Sequence, residues 1–275
     1  MLKDSLSALF TAHCIEDVAL LPFSECKVQK GYLLEKKEGF CPSSVILFLL
    51  PYYTETPDNF SAYAVCRDYH FFIRELENTL LPKLEEAFSP YRFYAFTDHS
   101  PIDEREAAVR SGLGVFGKNG LLLTEKYSSF QFIAEIFTDA PLSLLGEAKL
   151  HPFATCFQCG ACQRACPSGV LRGEGKECLS AITQKKGELS ADEERLLRQY
   201  HTAWGCDICQ NVCPYTKRAK EAGTIYTKIP YFLEKRICSL SSDLLASMDE
   251  EAFGQYAFAW RGRQVLLRNL KLLKE

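Results

Sequence analysis

Eight of the thirteen cysteines in this 275-residue chain lie between positions 156 and 213, and their spacing constrains the fold more than any other sequence feature. The first run has the pattern C-x2-C-x2-C-x3-C and is followed by Pro167. The second run repeats the last three cysteines and is followed by Pro214, while Ala203 stands where its first cysteine would be. Cys178 lies between the runs and can replace that missing cysteine. The eight positions are Cys156, Cys159, Cys162, Cys166, Cys178, Cys206, Cys209 and Cys213.

This spacing predicts two 4Fe–4S clusters, because it is the ligand pattern of bacterial ferredoxins. Three cysteines at two-residue intervals can wrap around one cube, and the fourth cysteine, before a proline, reaches the neighbouring cube. We therefore expect crossed ligation, with electrons handled one at a time. One cluster is assigned Cys156, Cys159, Cys162 and Cys213, and the other is assigned Cys166, Cys178, Cys206 and Cys209.

Other uses of cysteine fit the sequence less well. C-x2-C pairs also bind structural zinc, but a tetrahedral zinc site needs neither a third cysteine at the same interval nor a repeated Cys-Pro. Disulfides are typical of secreted proteins, and the first residues lack the pattern of a secretory signal. The remaining cysteines have no ligand spacing and are predicted to be small buried side chains. They are Cys14, Cys26, Cys41, Cys66 and Cys238.

Composition narrows the class of protein further. With 47% hydrophobic residues the chain can bury a substantial core, and a net charge of −3 with a pI near 6.0 excludes a polycation. The longest apolar run, residues 45–50, is far shorter than a membrane span. Reduced thiols and iron–sulfur clusters, with no sign of export, predict a cytoplasmic protein without a membrane partner, and we expect a monomer.

The hydrophobic pattern predicts an α+β chain of three parts. Residues 1–145 are predicted to form an α/β domain, residues 146–222 the cluster domain, and residues 223–275 a helical tail. In the first part, alternation and apolar runs predict strands at 45–50, 91–96, 120–124 and 130–137, the last two joined by a turn. Helical spacing predicts helices at 63–88, 102–111 and 191–200.

A second segment with recognisable chemistry lies in the first part. Asp98 and Asp103 precede a predicted helix, and a glycine-rich stretch follows at 112–120. Glycines let the backbone approach a ligand closely, and Lys118 can meet an anion, although the stretch lacks the spacing of a nucleotide P-loop. The structural alternatives are a helix C-cap with a tight turn for the glycines and helix N-caps for the aspartates. On these residues alone, the structural alternatives are favoured.

Taken together, D-x-x-P-x-x-E-R at 98–105, G-L-G-x-x-G-K-N at 112–119 and the two cysteine runs resemble the epoxyqueuosine reductase family. The resemblance covers about residues 61–217. It implies reduction of the epoxide of epoxyqueuosine in transfer RNA to the alkene of queuosine, with cobalamin and two 4Fe–4S clusters. It also implies a nitroreductase-like cobalamin-binding domain followed by a ferredoxin-like domain. The implied partners are transfer RNA, through its anticodon stem-loop, and an electron-donating flavodoxin or ferredoxin.

The family's functional residues carry over at a few positions. By this resemblance Asp98 is the catalytic acid that protonates the departing oxygen, which suits a reaction that needs electrons at carbon and a proton on oxygen. Clusters and a low-valent cobalt are suitable electron sources. The positions that the resemblance places at cobalamin are Glu104, Arg105, Gly112, Gly114, Gly117, Lys118 and Asn119.

The chain departs from the family pattern in three ways. His99 and Ser100 stand where a small pair such as Thr-Gly is usual, so His99 is either a second proton donor or a packed histidine. Residues 1–60 match poorly, and the chain has only the opening helix of the family's C-terminal repeats. That helix carries a stripe of basic residues that is either a phosphate-binding surface or a solvated face: Arg261, Arg263, Arg268, Lys271 and Lys274.

Two alternative functions therefore stay open at the level of sequence. One is a cobalamin- and iron–sulfur-dependent reductase that acts on a different, small substrate. The other is a ferredoxin-type electron carrier whose first domain binds no corrin.

Overall fold

The computed structural model describes residues 2–175 and 177–274, with side chains described from residue 6 onward. The chain divides into two compact units that interleave along the sequence. The sheet unit comprises the residues up to Pro51, Tyr69–Glu125 and Gln131–Gln158. The cysteine unit comprises Tyr52–Asp68, Lys126–Phe130 and the chain from Cys159 onward. The predicted domain boundaries at 145 and 222 stay predictions.

The sheet unit is built on a four-stranded antiparallel sheet with strand order β1-β2-β6-β3. Strand β2 is apolar and buried along its whole length, as expected for a strand covered on both faces. A separate two-stranded hairpin is formed by β4 and β5. The strands are β1 Val18–Pro22, β2 Ser44–Pro51, β3 Phe93–Thr97, β4 Val115–Phe116, β5 Leu122–Leu123 and β6 Gln131–Thr138.

Helices of the sheet unit pack against this sheet. The predicted helix at 63–88 is divided: one helix ends at Thr79 and the next starts at Leu81, with Pro82 in its first turn. Residues 63–68 of the prediction belong to the cysteine unit. Helix α5 begins after Asp103, whose side chain accepts a hydrogen bond from the Glu106 amide. The helices are α1 Leu2–Thr11, α2 Tyr32–Glu35, α3 Tyr69–Thr79, α4 Leu81–Ala87, α5 Glu104–Arg110 and α6 Leu142–Leu145.

The cysteine unit consists of short helices and loops around a core that includes the fully buried Trp204 and Phe258. Buried Asn269 ties the last helix to the core, because its amide donates to the Thr183 and Ala203 carbonyls at 2.7 Å each. The predicted helix at 191–200 is confirmed and begins with a capping box at Ser190. The helices are α7 Ala161–Ala165, α8 Leu179–Thr183, α9 Ala191–Gln199, α10 Ile208–Asn211, α11 Pro214–Glu221, α12 Ser242–Ser247, α13 Glu250–Gly254 and α14 Arg263–Lys274.

Two further sequence predictions need correction. Strand β5 pairs with β4 rather than with the strand that follows it, and β6 instead pairs with β2 and β3. The cysteines outside the cluster motifs are not uniformly buried: Cys66 is buried and Cys26 half-buried, while the remaining three are exposed. Across the described chain, none of the helices has the length and apolar character needed to cross a bilayer.

Candidate active site and cluster loops

Short helices position the cysteines of the two runs. Cys162 lies in α7 and Cys166 caps its C-terminus, while Cys178 caps the N-terminus of α8. In the second run, Cys209 lies in α10, and Cys213 caps α11 directly before Pro214 at the first helical position. Proline suits that position because its missing amide hydrogen would have no partner there. The Cys-Pro pair in this run therefore also serves as a helix start.

Three thiols assigned to one cluster are electrostatic neighbours within the cysteine unit. The pKa of Cys206 is raised to about 12, mainly by burial and in addition by the charges of Cys178, Asp207 and Cys166. A charge raises the pKa of a thiol in this way only over a short distance, so Cys178 and Cys166 both lie near Cys206. A metal centre that stabilised thiolates would reverse this shift, since thiolate is the ligating form. The donor set thus suits an iron–sulfur cluster at Cys166, Cys178 and Cys206.

A buried polar network holds the loop of the second run. Asp207 accepts hydrogen bonds from the Ser61 hydroxyl, from the Ala62 amide at 2.6 Å and from Gln210 Nε2 at 2.8 Å. The Gln210 side chain also accepts from the Ser129 hydroxyl at 2.8 Å. Burial raises the pKa of Asp207, but these donors favour its ionised form. The segments around residues 61 and 129 therefore join the cysteine unit through this loop.

No three His, Cys, Asp or Glu side chains in the described ranges 2–175 and 177–274 are arranged to hold a single metal ion. That test concerns one ion with several protein ligands. In a cubane cluster each iron takes one cysteine thiolate, so the thiolates are spaced more widely.

A cavity of about 430 Å³ opens beside Cys178 in the cysteine unit. Its wall includes Trp260, which is 60% exposed, and Arg261, whose guanidinium lies 3.6 Å from the centre of the Trp260 ring. Lys185 also lines the cavity and forms ion pairs with Glu177 and Glu193. One of the predicted cluster ligands is thus accessible from solvent.

The basic stripe of the tail is only partly available. Arg268 donates to the Lys185 carbonyl at 2.9 Å and to the Gly187 carbonyl, and burial lowers its pKa. Arg263 donates to the Leu245 and Met248 carbonyls and lies over the Phe253 ring. Both arginines therefore hold the fold together. Lys271 and Lys274 remain exposed.

Asp98 occupies an unusual backbone position on the loop after β3. Its φ of +57° is in the left-handed region, which few residues other than glycine adopt. The Asp98 backbone amide lies near the carboxyl group of Glu104 and favours its ionised form, and the Asp98 side chain is exposed. It does not cap helix α5, because Asp103 does so. The capping alternative is thus correct for Asp103 and wrong for Asp98.

His99 is held at the surface by two side chains that sequence analysis did not single out. Its Nδ1 lies 3.1 Å from Lys30 Nζ, and its Nε2 lies 3.1 Å from Tyr32 Oη. An ammonium group can only donate, so Nδ1 accepts from Lys30, and Nε2–H then donates to the tyrosine. His99 therefore fixes the loop next to Asp98, and neither of its nitrogens is left for a substrate.

The residues placed at cobalamin by resemblance are engaged within the sheet unit. Gly112 has a φ of +83° and ends α5, and a Cβ there would lie 2.6 Å from His151 Nε2. A Cβ on Gly114 or Gly117 would meet the Leu123 or Leu121 carbonyl at 2.5 or 2.9 Å.

These glycines are therefore required by a helix end and by the β4–β5 hairpin, as the structural alternative predicted. Arg105 donates to the Gly120 carbonyl at 3.0 Å, Asn119 accepts from the Leu121 amide at 3.3 Å, and Lys118 is exposed. These residues do not by themselves form a cradle for a corrin.

Glu135 was not identified from the sequence, yet it is fully buried and lies near the acids Glu104 and Asp98. It lies in β6, within an otherwise apolar stretch that reads as an ordinary core strand. Its only sequence signal is a carboxylate between Ala134 and Ile136, which a buried strand rarely contains.

Comparisons with known proteins agree with these features. Residues 155–216 match the family described as "4Fe-4S double cluster binding domain". Over 168 residues the chain is 34% identical to the epoxyqueuosine reductase of Pseudomonas aeruginosa, which covers 59% of this chain and 45% of that protein. The corresponding enzyme of Leadbetterella byssophila is 32% identical over 190 residues, covering 66% of this chain and 61% of that protein.

Solved structures have the same fold. The epoxyqueuosine reductase of Streptococcus thermophilus aligns with a TM-score of 0.75 and 19% identity, over 98% of this chain and 80% of that one. An epoxyqueuosine reductase with an epoxyqueuosine-modified tRNA stem loop aligns with a TM-score of 0.76 and 22% identity, over 99% of this chain and 80% of that one. At these identities the likeness shows the fold.

The chain spans about half the length of the curated relatives it matches. Within that span it carries their sequence similarity, an α+β fold like theirs and a segment that matches a 4Fe–4S binding family. The predicted resemblance of this chain to the epoxyqueuosine reductase family is therefore confirmed.

Proposed function

We propose that this protein is an epoxyqueuosine reductase that removes the epoxide oxygen of epoxyqueuosine in transfer RNA. The observation that carries the proposal is the Asp98 loop. A carboxyl group is exposed at the position of the family's catalytic acid, in a strained backbone conformation that Glu104 and His99 both hold. Strained backbone of this kind is concentrated at functional sites.

Electrons are supplied through two 4Fe–4S clusters bound by the eight cysteines of the two runs. The proximity of Cys166 and Cys178 to Cys206 supports the assignment of these three to one cluster. The cavity beside Cys178 gives an electron-donating flavodoxin or ferredoxin a route to that cluster. Cobalamin, in a nitroreductase-like domain, is the second cofactor that the family resemblance implies. The predicted corrin contacts are taken up by internal packing, so we derive no step through it.

Asp98 moves the proton in this reaction. Reduction of an epoxide to an alkene consumes two electrons and two protons and releases the oxygen as water. A carboxylic acid beside the epoxide prevents an alkoxide from accumulating when the carbon–oxygen bond breaks. Asp98 is suited to this role because its side chain is exposed rather than engaged in capping α5.

Transfer RNA is the proposed partner, recognised mainly through phosphates of its anticodon stem-loop. Because Arg263 and Arg268 are engaged in the fold, the cationic groups left on the tail are chiefly Lys271 and Lys274. This smaller surface is the one observation that favours the alternative, a reductase of the same build with a small substrate.

Replacing Asp98 tests the proposal. Asp98→Asn keeps the shape of the side chain but removes the proton, so we expect iron content to be unchanged and turnover to fall about 100-fold or more. His99→Ala is the comparison variant: because His99 holds the loop but leaves the acid in place, we expect it to lower turnover less than Asp98→Asn does. Near-normal turnover in Asp98→Asn would refute the assignment, and loss only in His99→Ala would move the proton to the histidine.

A further inference from the structure

Glu135 is a carboxyl group in the middle of the sheet. In β6 it lies opposite Leu47 of β2 and Phe96 of β3, and its side chain is fully buried. Neither carboxyl oxygen has a hydrogen-bond partner among the described residues. An isolated ionised carboxylate is very costly in such surroundings, so the group takes up a proton instead.

The electrostatic surroundings point the same way. Burial raises the pKa of Glu135 well above its ordinary value, and the negative charges of Glu104 and Asp98 raise it further. The Ser100 hydroxyl lowers it in part, although it does not meet hydrogen-bond geometry. Strands β2 and β3, on either side of β6, carry no charged residue that could offset the effect.

Glu104 connects this buried acid to the Asp98 loop. It is the first residue of α5, and the nearby Asp98 backbone amide favours the ionised form of its carboxyl group. The Glu104 oxygen Oε2 is buried and has no hydrogen-bond partner among the described residues. Burial raises the pKa of Glu104 to about 7, the charge of Asp98 adds to the shift, and Arg105 opposes it.

Other charged groups lie near the pair, and some of them are already engaged in ion pairs. Asp103 raises the pKa of Glu104 slightly, while Arg110 on the same helix is paired with Glu25 and Glu106. Burial raises the pKa of the Cys26 thiol to about 12, with the charge of Glu135 as the next contribution. Among the described residues, no cation lowers the pKa of Glu135.

We propose that Glu135 and Glu104 form a buried carboxyl pair that retains one proton at neutral pH, and that this pair positions Asp98 for catalysis. The inference rests on the proposed function only for the role of Asp98. With the proton on Glu135, Glu104 can stay ionised and hold the Asp98 amide in its left-handed conformation. When both groups ionise, their repulsion in the core destabilises the contact that holds the loop.

The pair makes stability depend on pH in a defined direction. The folded pKa values lie above the ordinary value of 4.5, so the folded protein binds more protons than the unfolded chain above that pH. Stability is therefore greatest at low pH and is lost as the pH rises from about 5 through 7 and beyond. For each such proton the folding equilibrium constant falls about tenfold per pH unit.

Infrared spectroscopy of the holo-protein tests the proposal without any substrate. At pH 7.5 we expect the carbonyl band of a protonated carboxylic acid in the wild type and its loss in Glu135→Gln. The matched control is Glu106→Gln, on the same helix, which removes a carboxylate that forms ion pairs with Lys27 and Arg110. If the wild type has no such band, or if Glu135→Gln retains it, the proposal is wrong.

The pH dependence of unfolding gives a second readout. Above pH 5, Glu135→Gln should reduce the fall in the folding equilibrium constant by about tenfold per pH unit relative to wild type. If Glu135→Gln does not fold, Glu104→Gln serves instead. It should keep the Glu135 band and lose only the proton released near pH 7. An unchanged slope in both variants would overturn the pair.

These readouts separate the pair from the proposed function. The wild type could show the carbonyl band and the expected pH dependence of unfolding while Asp98→Asn keeps full activity. That result would support the carboxyl pair but remove its catalytic role. In active protein, kcat of Glu135→Gln should persist to higher pH than in wild type, while KM should be unchanged. A merely structural glutamate would not shift the pH profile of kcat.

Discussion

The network around Asp207 gives a stability prediction that is tied to the cluster loops. In Asp207→Asn the side chain keeps its shape, but an NH2 group replaces one oxygen. Three donors, from Ser61, Ala62 and Gln210, now point at a side chain with one acceptor. At least one donor must lose its partner in a buried site, and it meets another donor there.

The magnitude follows from these contacts. A hydrogen bond to a charged group contributes about 1.5–3 kcal/mol, and a buried donor left without a partner costs about 1–3 kcal/mol. Burial already disfavours the ionised form of Asp207, so removing the charge offsets part of the loss. We therefore expect Asp207→Asn to lower the free energy of unfolding by about 1–3 kcal/mol, the cost of one buried donor without a partner.

Urea unfolding of the anaerobic protein, followed by far-ultraviolet circular dichroism, measures this loss. The same samples should lose iron faster than wild type, because α10 carries Cys209 and starts directly after Asp207. Asp192→Asn is the matched control, since that side chain is 80% exposed and pairs only at the surface with Arg195. A change in the free energy of unfolding below about 0.5 kcal/mol in Asp207→Asn would show that Asp207 does not hold these donors, because that is the range of ordinary surface substitutions.

Other predictions concern the clusters and the tail. Wild-type protein should carry about eight irons, as two 4Fe–4S clusters require. Cys178→Ala should impair one cluster, whereas Cys238→Ala should leave the iron content unchanged. The opposite result would overturn the ligand assignment. Arg268→Ala should destabilise the fold by about 2–3 kcal/mol through its lost carbonyl contacts, while Lys271→Ala should stay within about 0.5 kcal/mol in the same urea titration. Replacing both Lys271 and Lys274 by Ala should flatten the salt dependence of RNA binding by at most about two units, because each lysine neutralises one phosphate; a larger change would show that the surface was misassigned.

Elements that depend on residues close together in the sequence could be predicted. Features that depend on contacts between distant segments could not. The cysteine spacing predicts cluster loops because the ligands of one run lie within a few residues of each other. The helix at 191–200 and the strand at 45–50 were also predictable, because capping and apolar runs are local signals. In contrast, the interleaving of the two units depends on where Tyr52–Asp68 and Lys126–Phe130 lie in space, and nothing in their composition indicates this.

The candidate site shows the same limit. Asp98 was found through its motif, but its left-handed backbone and its contact with Glu104 arise from tertiary structure. Glu135 was missed because one carboxylate in an apolar strand does not change the strand prediction. The basic tail was interpreted as one stripe, because the sequence cannot show that Arg263 and Arg268 turn inward to carbonyl groups.

We propose that this chain reduces epoxyqueuosine in transfer RNA. The most direct measurement incubates anaerobic protein, loaded with both clusters and cobalamin, with a reductant and an epoxyqueuosine-containing anticodon stem-loop, and analyses the nucleoside by mass spectrometry. We expect loss of one oxygen atom from the modified base. The stem-loop should be nearly as good a substrate as full transfer RNA, and the free nucleoside should be a poor one. Fully loaded protein that neither binds the stem-loop at low salt nor removes the oxygen would contradict this proposal.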